Sequence, residues 1–78
     1  MMKPGITFEP VYRLMAEYRR NAYEYKRSGL EECEGYWLDK LSVITNALGA
    51  LTDEWPIILV YDCDITVCHG TYEQTFDI

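Results

Sequence analysis

Two apolar stripes of identical spacing constrain this chain more than any other feature. Val11, Met15, Tyr18, Ala22 and Tyr25 follow at intervals of 4, 3, 4 and 3, and Trp37, Leu41, Ile44, Leu48 and Leu51 repeat those intervals. Such positions fall on one side of an α-helix. Between the stripes lies Ser28-Gly29-Leu30-Glu31. Gly29 can end the first helix in the left-handed conformation, and Ser28 with Glu31 fits a capping box opening the second. Glu31, Glu32 and Glu34 then occupy the positive end of that helix. The expectation is an N-terminal arm over 1–8, helix 1 over 9–27 with Pro10 in its first turn, and helix 2 over 30–52. Gly35 opposes the second helix at a cost of about 1 kcal/mol.

After Thr52 to Pro56 the period changes. Ile57 to Tyr61 and Ile65 to Cys68 are apolar, β-branched runs, and Tyr72, Gln74, Phe76 and Ile78 alternate. Asp62-Cys63-Asp64 and His69-Gly70-Thr71 are the intervening turns. The expected fold class is α+β: an N-terminal antiparallel helical hairpin packed on a small C-terminal sheet of two or three antiparallel strands. The order is α-α-β-β-β, within a single compact domain spanning 1–78 and ending in a β-meander over 57–78.

Charge is divided along the chain. Residues 1–29 carry Lys3, Arg13, Arg19, Arg20, Lys26 and Arg27 against Glu9, Glu17 and Glu24, a net +3. Residues 30–78 carry Lys40 against ten acids, a net −9, and the two sum to −6. This balance excludes a general nucleic-acid binder, which needs cations to displace counterions. An apolar content of 49% excludes a disordered tail. Either the two halves pair inside the fold, or the acids form an anionic face that steers toward a basic partner. The candidate partner-binding residues are Asp53, Glu54, Asp62, Asp64, Glu73 and Asp77, with Glu31, Glu32 and Glu34. The run Trp55 to Tyr61 is far shorter than the roughly 20 residues of a membrane span. No apolar leader region surrounds Lys3, Pro4 and Glu9. A cytoplasmic protein with reduced thiols is expected, without membrane contact.

Ile57-Ile58-Leu59-Val60-Tyr61-Asp62-Cys63-Asp64-Ile65-Thr66-Val67 is an apolar strand followed by D-x-D-x-T-V. It resembles the first motif of the haloacid dehalogenase-like phosphatases. That resemblance implies Asp62 as nucleophile and Asp64 as general acid, with Mg²⁺ between carboxylate and phosphate. In that family the motif opens a large α/β domain whose later strands add a Ser or Thr, a Lys and further acids. Here eleven residues follow Val67 and none is Lys, so the two acids are expected to be turn residues.

Cys33, Cys63, Cys68 and His69 contain the residue types of a zinc site, but neither C-x-x-C nor H-x-x-x-H occurs. Cys68 and His69, adjacent on a strand, would point to opposite faces. Buried free thiols and a turn role for His69 are expected, with no metal or cofactor. On helix 1, Arg13, Glu17, Arg20, Glu24 and Arg27 alternate in sign as a solvated face does. Tyr12, Ala16, Arg19, Tyr23 and Lys26 form a third stripe, which could stack a nucleic-acid strand. More simply, its tyrosines flank the core while Arg19 and Lys26 extend to water.

The expectation for function is a small acidic, non-enzymatic protein-binding module. Its partner is expected to be a basic protein, possibly within a nucleic-acid-binding complex whose cleft it blocks by mimicking nucleic-acid charge. In size and charge the chain is similar to small phage-encoded inhibitors of host defences, such as anti-CRISPR proteins and restriction inhibitors, an analogy of type alone. The alternative is a homodimer formed through the helical hairpin.

Overall fold

The structure, a computed structural model, describes residues 2–77. A single 3-10 turn, Ile6–Phe8, leads into α1, Glu9–Arg27, and α2 follows as Glu31–Thr52. The strands are β1, Ile57–Val60, β2, Ile65–His69, and β3, Tyr72–Phe76. They form one antiparallel sheet in the order β1-β2-β3. The expected α-α-β-β-β arrangement is therefore present. Ile78, assigned above to the third alternating run, lies outside the described residues.

Gly29 ends α1 as its sequence position implies, at φ 77°. Its N–H reaches the Lys26 carbonyl at 3.1 Å, and the Leu30 N–H reaches the Tyr25 carbonyl at 2.9 Å. Together these bonds make a Schellman closure. That closure rules out the capping box. Ser28 is consumed as the C-cap of α1, and Leu30 precedes α2 with no side-chain cap. Glu31, Glu32 and Glu34 occupy the first turn of α2, where they complement the helix dipole.

α1 is the shared element, packed against α2 and against all three strands. Its buried arc is correspondingly wide: Tyr12, Met15, Ala16, Arg20 and Ala22. This rotates the face expected from the apolar stripe. Tyr25 lies in solvent at the hairpin end, and Leu51 is likewise exposed on α2. Tyr12 and Ala16 are fully enclosed, so they cannot stack a nucleic-acid base. Arg20, assigned above to the solvated face, is buried instead. Its Nη2 donates to the Tyr61 carbonyl at 3.2 Å, and its guanidinium lies 5.3 Å from the Tyr23 ring centroid. A long side chain can thus be enclosed while its charge answers a strand-end carbonyl.

The core joins Phe8, Tyr12, Met15 and Ala16 to Leu41 and Leu48 of α2 and to Ile65, Val67 and Phe76 of the sheet. Ile58 and Val60 pack against it from β1. Alternation sends Ile57 and Leu59 to the opposite face, with Thr66, Cys68, Glu73 and Thr75. Among the described residues no helix is long and apolar enough to cross a membrane.

Candidate functional site

Strand β1 is an edge strand whose composition suits a central one. Edge strands in natural proteins are blunted by charge, proline or bulges. Here Ile57-Ile58-Leu59-Val60 contains none of these. Its outward side chains are well exposed: Ile57 by 62% and Leu59 by 42%, with Trp55 and Tyr61 each at 53%. Trp55 is held by α2, its indole lying over Gly49 and its Nε1 donating to Asn46 Oδ1 at 3.4 Å.

The backbone of this edge is equally open. The Tyr61 N–H donates to the Asp64 carbonyl at 2.9 Å, closing the β1–β2 turn. Antiparallel alternation then directs the main-chain groups of Ile57, Leu59 and Tyr61 toward β2. The N–H and C=O of Ile58 and Val60 face away from the sheet. Among the described residues no group bonds to them there.

Acids bracket this strand. Asp53 and Glu54 precede it, Asp62 and Asp64 follow it, and all but the half-buried Asp64 are exposed. Asp77 follows Phe76, which pairs with Ile65, so it extends the Asp64 end of the sheet. Glu73 pairs with Cys68, itself opposite Ile57, and shares their outer face. Glu31, Glu32 and Glu34 lie elsewhere. They begin α2 whereas Asp53 follows its end, a separation of about 30 Å at helical rise. The nine candidate acids therefore divide into the two ends of the sheet and the tip of the hairpin. Among the described residues the only ion pair is Arg20–Glu24, 3.9 Å apart within α1. Among the described residues no ion pair joins the basic and acidic halves of the chain.

The D-x-D pair sits in the tight turn of an antiparallel hairpin, not at the head of an α/β domain. The zinc candidates are dispersed: Cys33 on the first turn of α2, Cys63 in the β1–β2 turn, Cys68 on the outer face of the sheet and His69 on the inner. Among the described residues no three such groups come together to hold a metal. Cys33 and Cys63 are exposed, contrary to the expectation of buried thiols, because both fall where chain reverses. Cys68 is half-buried, its Sγ 3.7 Å from Glu73 Oε2, and burial together with that carboxylate raises its thiol above the ordinary value.

His69 stands at a strand end beside Gly70, as expected, but not in the turn role expected of it. It is the last residue of β2 and fully buried, not a turn residue. Tyr12 Oη lies 2.6 Å from its Nδ1, and the Glu54 carbonyl and Thr52 Oγ1 lie 2.7 and 3.0 Å from its Nε2. A carbonyl only accepts, so Nε2 carries the proton and Nδ1 accepts from the Tyr12 hydroxyl. Thr52 Oγ1 donates within its own helix, to the Leu48 carbonyl at 2.6 Å. The Tyr12 oxygen also accepts the Gly5 N–H, and burial raises its phenol. Every proton here has a fixed destination, which leaves no free base to activate a nucleophile. The signal was available: Ile65, Val67 and His69 alternate inward along one strand.

No family model, no curated protein and no solved structure matches the chain.

Proposed function

We propose that this chain is a non-enzymatic binding module that presents the acid-flanked edge of β1 to a basic protein. One observation carries the reading: an unblunted apolar edge strand with Trp55, Ile57, Leu59 and Tyr61 exposed between Asp53-Glu54 and Asp62-Asp64. Aromatic anchors inside a charged rim are the anatomy of a protein interface. Acids held on a rigid turn and a helix end also keep their spacing, as a mimic of nucleic-acid charge requires. The consequence is inhibition: a partner whose basic surface is occupied in this way cannot take up nucleic acid there. Free thiols fit a reducing compartment, and we place the protein in the cytoplasm.

The test is capture from nuclease-treated lysate of the native host. The wild-type chain should retain basic nucleic-acid-binding proteins, and added duplex DNA should displace them. Reversing charge at Asp53, Glu54, Asp62 and Asp64 should abolish that retention. Retention of the same proteins by the reversed chain removes the acidic-face reading. A second reading, self-association through the hairpin, draws on Tyr36 and Val43, exposed by 56% and 69% on the outer side of α2. A chain mass doubled in solution and restored to one copy by Val43→Asp would support it.

A further inference from the structure

The mode of engagement can be taken further. Resting on the acidic-face reading, we propose that the partner supplies an extended segment that joins β1 as a fourth strand. That segment is apolar at alternating positions and carries Lys or Arg at both ends.

Three features of the edge lead to this occupant. The outward N–H and C=O groups of Ile58 and Val60 offer the main-chain bonds of strand addition. Ile57 and Leu59 lie on the outer face, where the next strand's side chains would stand beside them, and cross-strand apolar pairs are favourable. The strand is acidic before and after, so only a segment basic at both ends matches its field. Because both ends carry the same sign, charge does not choose between parallel and antiparallel addition.

The same charges act against a second copy of this chain. Because the outward groups of Ile58 and Val60 must meet their like, antiparallel self-pairing centred on Ile58 sets Asp62 opposite Glu54, and centred on Leu59 it sets Asp64 opposite Glu54. Arg20, bound to the Tyr61 carbonyl, and Lys3, which lines one hollow with Glu54, form no ion pair with these acids among the described residues. Like charges set against each other act against self-pairing, as edge strands require. A basic foreign strand escapes that repulsion and gains from it.

The probe is a fluorescein-labelled peptide with an alternating Val-Thr core and two lysines at each end. Fluorescence anisotropy reads binding, and amide hydrogen exchange by NMR reads its site. Bound peptide should slow exchange at Ile58 and Val60 by at least about tenfold. Methylating every other backbone nitrogen should weaken binding at least about tenfold in one frame and spare it in the other, since only one frame faces β1. Glutamate in place of the terminal lysines should abolish binding. Ile57→Lys with Leu59→Lys, both at exposed positions, should weaken the lysine peptide without unfolding the chain. Strand addition is overturned if neither methylated frame weakens binding, if Ile58 and Val60 gain no protection, or if the lysine peptide does not bind. Those failures leave the charge-reversal result standing, whereas equal binding of lysine and glutamate peptides removes the acidic-face reading with it.

Discussion

His69 ties the two halves of the chain together through polar contacts at both ring nitrogens. Tyr12 comes from α1, Thr52 from the end of α2 and the Glu54 carbonyl from the link to β1. Such a network stabilises only while complete, because a buried group left without its partner costs about 1–3 kcal/mol. Tyr12→Phe leaves Nδ1 without a donor and should lower stability by about that amount in urea melts at neutral pH. It should also change the alkaline limb. Burial raises the Tyr12 phenol above its ordinary 10.0, so the unfolded chain ionises there first. The stabilisation is complete below pH 10.0 and is lost as pH climbs toward the raised folded value. Tyr72 is raised likewise, by burial and then by its bond to Glu9, and adds a fall of the same sign. Tyr12→Phe should therefore show a shallower alkaline decline, and an unchanged decline would contradict the assignment. The thiols give a separate check. Cys33 and Cys63 should take up a maleimide before Cys68, whose raised pKa limits its thiolate. Glu73→Gln should speed labelling of Cys68 alone, as read by peptide mass against time.

Among the elements, the helices were the most legible and their faces the least. Periodicity located α1 to the residue and α2 to within one. It could not show that α1 would be covered on two sides, which is why Tyr12, Ala16 and Arg20 are buried while Tyr25 is not. An apolar stripe marks the larger contact, with α2; the sheet adds a second contact that accepts a tyrosine hydroxyl and an arginine stem. The candidate acids were legible as residues but not as a surface, because only the fold reveals that α2 separates one group from the rest. The open edge of β1 was missed because strand order is not written in local pattern. The two glycines of α2 test the helix directly. Gly35 has open space around it, so Gly35→Ala should stabilise by about 0.5–1 kcal/mol through backbone entropy. At Gly49 an added Cβ would overlap the Trp55 indole. Gly49→Ala should instead displace Trp55, seen as a shift in tryptophan emission and a lower melting temperature. Equal gains at both positions would mean that Trp55 is not seated on α2.

At the scale of the whole molecule, an elongated body of 40 × 23 × 15 Å forms no ion pair between its basic and acidic halves among the described residues. Most of the basic residues lie on α1, where Lys26 and Arg27 meet Glu31, Glu32 and Glu34 at the hairpin tip; the acids at the two ends of the sheet have no ion-pair partner among the described residues. Charge left unpaired in this way leaves a field outside the protein, strongest at low salt. We infer that the acids around β1 act against its pairing with a second copy. That account makes a demanding prediction. Asp62→Lys together with Asp64→Lys would place a lysine opposite Glu54 of a second copy whether pairing centres on Ile58 or on Leu59, and render the edge self-complementary. Light scattering should then give about twice the 9.2 kDa chain mass for the double variant at low salt, where the wild type gives one copy through this edge. Added salt should return the variant toward a monomer, and Ile57→Lys with Leu59→Lys in the same background should prevent pairing altogether. A double variant that remains monomeric at every salt concentration would show that repulsion is not what keeps this edge open. Dimerisation that ignores salt would point instead to the outer side of α2.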